Sequence, residues 1–432
     1  MMMRNLGSFA ALSLLGLAAC GQQEPAAAPL APPPAATVAP APAPVEAKKE
    51  EPKPIPLTAE QKVKAYHEGW AAFNAKDFAK FQTIWADGAT SEMLDMGPPL
   101  VGPSAIVEQG AKGYASAFPD STGELELTLV NGNNILGVVL SRGTQTGTFV
   151  TPMGPVPPTN KKVGFLLAHS IELNDAGKVV KETMAYDGGT VAGQLGLMPM
   201  PHRKAIEVGW TDKPVVLASG SDIEKANLAT IAKEMESFNK HDAAGALGSA
   251  ADDLVFSELS APADRVGKKE SLKGIEDMFK AFPDAKLDVK SAWAAGDYVV
   301  SSGTWTGTNT GDSPAMHLKK TGKSVSVHFV EIDKLVAGKT KNIWVFQNGA
   351  AAAAQLGLLP PKAAEPKGKE AKPVAAKPVA EAKPAAAKPA AEAKPAAVKP
   401  AVEAKPAAAK PEAKPAAAKP AAPVAPAAKP AK

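Results

Sequence analysis

Cysteine is nearly missing from this 432-residue chain: Cys20 stands alone. A single thiol excludes an intrachain disulfide and a cysteine-based zinc site. Aromatic residues make up only 5% of the sequence, and none follows Pro360. A stretch of that kind cannot bury enough apolar surface to offset its chain entropy, so 361–432 is expected to be a disordered tail. Leu6 to Leu17 is apolar but too short to cross a bilayer comfortably as a helix. There is no Ser-His-Asp order, phosphate-binding glycine loop or metal-ligand cluster, so neither cofactor nor metal is implied. The formal charge is +4, yet Pro361 to Lys432 holds 15 Lys and 6 Glu, a net of +9, which leaves −5 upstream. The part able to fold is mildly acidic and nothing in it calls for nucleic acid.

At the N-terminus Arg4 precedes the apolar run, which ends in Leu17-Ala18-Ala19-Cys20. That tetrad resembles a bacterial lipobox. The layout it implies is a signal peptide over 1–19 and a lipidated Cys20 heading the mature chain. An ordinary secretory signal with an incidental cysteine is the plainer reading. Gly21 is not the aspartate associated with inner-membrane retention, so the expectation is an outer-membrane lipoprotein of the cell envelope. Residues 20–56 are Pro/Ala-rich and read as a semi-rigid spacer. The tail repeats Lys at regular intervals with interspersed Glu. It is either a contact for peptidoglycan or another anionic envelope polymer, or an inert extension.

Between these ends the chain is written twice. His169-Ser170-Ile171-Glu172-Leu173 leads to Tyr186-Asp187-Gly188-Gly189 and Gln194-Leu195-Gly196-Leu197-Met198-Pro199. Downstream stand His328-Phe329-Val330-Glu331-Ile332, Gln347-Asn348-Gly349 and Gln355-Leu356-Gly357-Leu358-Leu359-Pro360. Phe73-Asn74-Ala75-Lys76-Asp77 is answered by Phe238-Asn239-Lys240-His241-Asp242, and Phe118-Pro119-Asp120 by Phe282-Pro283-Asp284. Gly143 to Thr148 is matched here with Gly303 to Thr308. The copies span 57–199 and 221–360, joined by a linker over 200–220.

Periodicity gives each copy the same order. Thr58 and Gln61 resemble a capping box, and Val63, Tyr66, Trp70 and Phe73 form a helical stripe, repeated by Leu228, Ile231, Met235 and Phe238. Phe78, Phe81 and Trp85 predict a second short helix, and Gly102-Pro103-Ser104 opens a third. Strands follow: one through Leu125, Leu127 and Leu129, one over Ile135 to Phe149, one with Phe165, Leu167, His169, Ile171 and Leu173 on one face, and one over Val179 to Asp187. Helices followed by a mostly antiparallel sheet make an α+β fold.

The ordered set of Asn-x-x-Asp, Phe-Pro-Asp, Gly-Thr-x-Thr-Gly-Thr, Thr321-Gly322-Lys323, the strand histidine and Gln-Leu-Gly-Leu-x-Pro resembles the SnoaL-like polyketide cyclase (ester cyclase) family of the nuclear transport factor 2-like superfamily. The resemblance implies two tandem cone-shaped α+β barrels, each a curved sheet around a helix with a pocket at its open end, and sheet-to-sheet pairing that a tandem chain makes as an intrachain pseudo-dimer. It also implies an acid/base aspartate on the last strand, for which Asp187 is the match, with His169 beside it. Asn348 stands in its place in the second copy and cannot take a proton at neutral pH.

The candidate catalytic pair is therefore Asp187 and His169, in the first copy only. His328, Asn348, Trp70, Trp305 and Trp344 are the candidate ligand-binding residues, and Cys20 the lipidation site. Plainer roles stand beside these. A lone strand histidine is ordinarily a satisfied core residue, Asp187 before two glycines reads as a turn, His67 is peripheral, and tryptophans are ordinarily core or pocket wall. Glu172 and Glu331 have the parity that points away from the histidine face. The leading reading is a membrane-anchored protein binding a small apolar molecule. The rival is a non-catalytic envelope interaction protein with pockets filled by side chains. A secreted polyketide cyclase fits less well, since such substrates are usually made in the cytoplasm.

Overall fold

The computed structural model describes residues 56–359, apart from 152–153, 199–200 and 315. The lipobox, Cys20, most of the spacer and the tail lie outside the described residues.

A capping box opens the first half. The Gln61 N–H donates to Thr58 Oγ1 at 3.3 Å and the Thr58 N–H to Gln61 Oε1 at 2.8 Å, which starts α1 (Ala59–Asn74). After α2 (Phe78–Thr83), Trp85 begins a strand rather than extending the helix: β1 (Trp85–Met93) pairs with β2 (Leu100–Val101). Gly88 at φ +74 and a register shift between Trp85 and Thr90 erase the alternation that reveals a strand in sequence. The third helical run is α3 (Pro103–Ala105), a π-helical segment Ile106–Ala111, and α4 (Lys112–Ala117).

Then come β3 (Thr122–Asn131), β4 (Asn134–Thr144), the hairpin β5 (Phe149–Thr151) and β6 (Gly154–Val156), β7 (Lys162–Leu173), β8 (Val179–Ala185) and α5 (Gly188–Gln194). The strand expected to reach Phe149 stops at Thr144, where the Gln145 side chain enters the loop and donates to the carbonyls of Gly147 and Pro157, both at 3.1 Å. The linker adds β9 (Val215–Leu217), parallel to β3. The sheet order is β2-β1-β8-β7-β4-β3-β9, with β1 and β8 parallel.

The second half repeats this plan: α6 (Asp222–Asn239), α7 (Ala243–Ala246), β10 (Ala250–Glu258), β11 (Arg265–Val266), α8 (Lys268–Ala281), β12 (Lys286–Ala295), β13 (Tyr298–Thr308), β14 (Ser324–Val336), β15 (Lys339–Gln347) and α9 (Gly349–Leu356). Its sheet runs β11-β10-β15-β14-β13-β12, the same topology without the added edge strand.

The repeated motifs are tethers that fasten helices to the sheet. Asn74 exchanges two hydrogen bonds with the backbone of Gly123 at 2.8 and 2.7 Å, as Asn239 does with Leu287 at 2.9 and 2.7 Å. Asp120 accepts from the N–H and hydroxyl of Thr144 at 2.6 and 2.7 Å, and Asp284 from those of Thr308 at the same distances. Gln194 clasps the backbone of Gly164 at 3.0 and 3.1 Å, and Gln355 that of Ser326 at 2.7 and 2.9 Å.

These tethers correct the correspondence between copies. Gly143-Thr144-Gln145-Thr146-Gly147 matches Gly307-Thr308-Asn309-Thr310-Gly311, four residues beyond the match read from sequence. The Thr146 and Gly147 amides donate to Ala117 O at 3.0 and 3.1 Å, as those of Thr310 and Gly311 do to Ala281 O. Gly143 pairs with Val163, and Gly307 with Val325. Six residues on, His169 is matched by Glu331, not by His328. Glu331 thus occupies the inward face, against the parity inferred for it.

The inner faces of both sheets wrap their helices. The opposite faces share one apolar cluster: Leu127, Leu129, Leu136, Val138, Leu140, Leu166, Ala168 and Ala185 from the first, and Leu259, Ala295, Tyr298, Val300, Val330, Ile332 and Phe346 from the second. Replacing Phe346, fully buried there, by alanine should cost about 3–5 kcal/mol by cavity formation, read as a lower urea midpoint.

Within the second cone, Glu331 and Asp333 share the inner face of β14, with Glu234 of α6 nearby. Asp333 is 1% exposed, and its Oδ2 has no hydrogen-bond partner among the described residues. Burial, and then the charge of Glu234, push Glu331 up to about 7. Burial, and then the charges of Glu331 and Glu234, raise Asp333 well above the usual carboxylate range. Folded-state values above the unfolded ones mean that the folded form holds protons more tightly. The stability they confer is full below about pH 4 and is lost as pH rises through about 7. Asp333→Asn should raise stability at pH 8 by on the order of 1–3 kcal/mol and leave it little changed near pH 4, checked by urea unfolding at both pH values.

Candidate functional site

A cavity of about 1190 Å³ fills the first cone. Its walls are mostly apolar: Leu167 and Ile171 on β7, Met184 on β8, Ile106 and Tyr114 from the third helical run, Phe73 on α1. Alternation on β7 places Phe165, Leu167, His169, Ile171 and Leu173 inward, as expected, and all five line the cavity.

One polar constellation interrupts this wall. The Tyr66 hydroxyl meets His169 Nδ1 at 2.7 Å, His169 Nε2 meets Glu182 Oε1 at 2.6 Å, and Ser91 donates a short hydrogen bond to Glu182 Oε2. Tyr66, His169, Glu182 and Ser91 are each at most 6% exposed. Burial pushes the Tyr66 phenol far above its ordinary value, so it keeps its proton. A neutral imidazole that accepts that proton's hydrogen bond at Nδ1 carries its own hydrogen on Nε2 and donates it to Glu182. The Trp70 ring stands edge-on to His169 at 5.0 Å between centroids. A buried carboxylate held by an imidazole N–H and a hydroxyl, with apolar space beside it, has the makings of a general base.

Asp187 is placed elsewhere. It does not extend the last strand, which ends at Ala185, but caps α5. Its Oδ1 accepts from Gly189 N at 3.0 Å and Oδ2 from Thr190 N at 2.7 Å. Oδ1 also accepts from Gly349 N at 2.9 Å, the first residue of α9 in the other half. Burial raises the Asp187 carboxyl against the opposing pull of these bonds. Both imidazole nitrogens of His169 are engaged by Tyr66 and Glu182, and no hydrogen bond joins His169 to Asp187 among the described residues.

Asn348 caps α9, its Oδ1 accepting from Ala351 N at 3.3 Å, and it borders the first-half cavity. His328 points away from the second cone: its side chain is half exposed, and it bonds Asp95 of the first half. Odd-numbered residues of β14 face inward, so an even-numbered histidine does not. Trp70 lines the cavity. Trp305 packs within the second cone against Phe282 at 5.0 Å. Trp344 lies on the opposite face of its strand, its ring packed at a tilt against Trp210 of the linker with 5.1 Å between centroids. His67 is half-buried and bonds Thr128 Oγ1 at 3.2 Å.

Sequence reasoning missed Glu182, Tyr66 and Ser91 as polar partners. The register pairs His169 with Met184, so the inward residues of β8 include Glu182 and Met184. Counting from the histidine's partner rather than back from Asp187 selects Glu182.

The family model described as SnoaL-like polyketide cyclase matches residues 61–195 and 229–356, more than half of the chain. No curated protein matches. Among solved structures the chain is similar to AclR from Streptomyces galilaeus, at 31% identity over 32% of this chain and 88% of that one, with a TM-score of 0.29. A SnoaL-like protein from Jannaschia sp. CCS1 matches at 20% identity over 32% and 97%, TM-score 0.30. IdmH from Streptomyces antibioticus matches at 22% identity over 30% and 98%, TM-score 0.26. With that model matching both copies of the curved-sheet module, the chain belongs to the SnoaL-like polyketide cyclase family.

Proposed function

We propose that the first half binds a small, largely apolar carbonyl compound and moves a proton on it, with Glu182 as base and His169 as its positioning partner. The observation that carries this reading is the Tyr66–His169–Glu182–Ser91 constellation set into the wall of an apolar cavity of about 1190 Å³. Ring closure by aldol chemistry needs a proton taken from a carbon next to a carbonyl, and a desolvated carboxylate suits that step. The second half is a structural or binding half. Glu331 stands at the position of His169, and β15 offers Ile343, the cross-strand neighbour of Asp333, where β8 offers Glu182.

The reading has further parts. The apolar cluster shared by the two sheets supports an intrachain pseudo-dimer. Lipid on Cys20 would hold the protein at the outer membrane, and the basic tail would meet an anionic envelope polymer; both rest on sequence alone. The rival interaction protein needs a filled pocket, and the open first cone argues against it.

Full-length protein incubated with a mixed metabolite extract should retain an apolar carbonyl compound identifiable by mass spectrometry. With that compound in D₂O, proton exchange at the carbon beside the carbonyl should fall about 10²–10⁴-fold in Glu182→Gln. His169→Ala should fall in parallel, and Asp187→Asn should retain exchange. A wild-type exchange rate in Glu182→Gln, or recovery of no ligand, would sink the proposal.

A further inference from the structure

The cavity of the first half is not closed by the first half alone. Asn348, Ala350, Ala351, Ala354 and Leu359, on or flanking α9, form part of its lining. Ala350 to Ala354 is unbroken alanine, so this wall presents methyl groups and leaves depth. Asp95, Met96 and Pro98, in the loop after β1, also line the cavity.

That loop is fixed from the second half. The His328 N–H donates to Asp95 Oδ2 and the His328 ring meets Oδ1, both at 2.8 Å, while Asn348 Nδ2 donates to Asp95 O at 3.2 Å. Asp95 sits at φ +58, a left-handed conformation that a non-glycine residue holds only when its surroundings over-determine it. The counterpart loop of the second half is held by different groups. By register, Ser260 occupies the second-half position of Asp95, and Leu166 the first-half position of His328; that loop is met instead by Thr190 Oγ1, which donates to Leu259 O at 3.4 Å, and by Arg203 of the linker, which donates to Glu258 O at 3.2 Å and to Asp264 Oδ1 at 2.8 Å.

We propose that the second half is the specificity-determining wall of the first half's site: α9, with the Asp95 loop that His328 and Asn348 hold, sets how long a ligand the cavity admits. The alanine run then selects elongated apolar molecules, longer than two fused rings, reaching from the His169 wall to α9. This inference rests on the ligand-binding reading above, and the test separates the two.

The probes are N-phenyl-1-naphthylamine, which is elongated, and naphthalene, which is compact. Each is titrated into the full chain carrying Cys20→Ser, which avoids micelles, with binding followed by fluorescence. Ala354→Trp, at an exposed position of α9, should weaken the longer probe about tenfold and leave naphthalene unchanged. His328→Ala should shift the longer probe in the same direction. Met184→Trp, on the His169 wall, should weaken both probes. If Met184→Trp weakens both while Ala354→Trp and His328→Ala change neither, the inference about the second half falls and the pocket reading stands. Equal loss of both probes in Ala354→Trp also overturns it. If the wild-type chain binds neither probe, or Met184→Trp changes nothing, the pocket reading falls and takes this inference with it. Thermal melts matching the wild type establish that each variant is folded.

Discussion

A strongly curved sheet leaves backbone donors and acceptors without strand partners where it bends away from its helices, and an unpaired buried amide costs free energy comparable to a lost hydrogen bond. Both halves answer this demand with the same side chains at the same places. Asn74 and Asn239 hold the start of the first long strand. Asp120 and Asp284 hold the end of the next, and Gln194 and Gln355 pin the closing helix to the central strand. The cone keeps its shape because these bonds sit at its rim rather than in its interior.

With shape secured at the rim, the interior is free to differ. At one strand position the first half carries His169, whose ring bonds Tyr66 and Glu182. At the matching position the second half carries Glu331, beside Asp333 and near Glu234. The first arrangement is held by hydrogen bonds and faces open apolar space. The second sets like charges together with an oxygen left unpaired, which disfavours ionisation and lowers stability as protons leave. The same scaffold therefore supports a hydrogen-bonded carboxylate in one half and a pair that resists charging in the other.

This division explains what was legible in the sequence. The tether motifs are local, short and repeated, so they revealed the duplication, the α+β class and the family. They are scaffold and say nothing of chemistry. The inward face of β7 was legible because it alternates cleanly. Glu182 was not, because β8 shows no alternation and its parity is set by pairing with Met184 opposite His169. The match of His169 with His328 failed because two histidines at similar spacing outweighed, on paper, a register that only hydrogen-bonded strands define. Trp344 was assigned to a pocket because its strand parity was not fixed, and it packs against the linker's Trp210 instead. β1 was hidden by a glycine at positive φ and a break in register.

Asp187 accepts from the first turns of two helices at once, α5 in its own half and α9 in the other, whereas its counterpart is the neutral Asn348. The copies have thereby ceased to be interchangeable. A chain built from two first halves would set a pair of anions nose to nose at this junction, and one built from two second halves would leave both helix dipoles without a counter-charge. At this junction the two halves are complementary rather than identical, and each is free to drift only in ways the other tolerates.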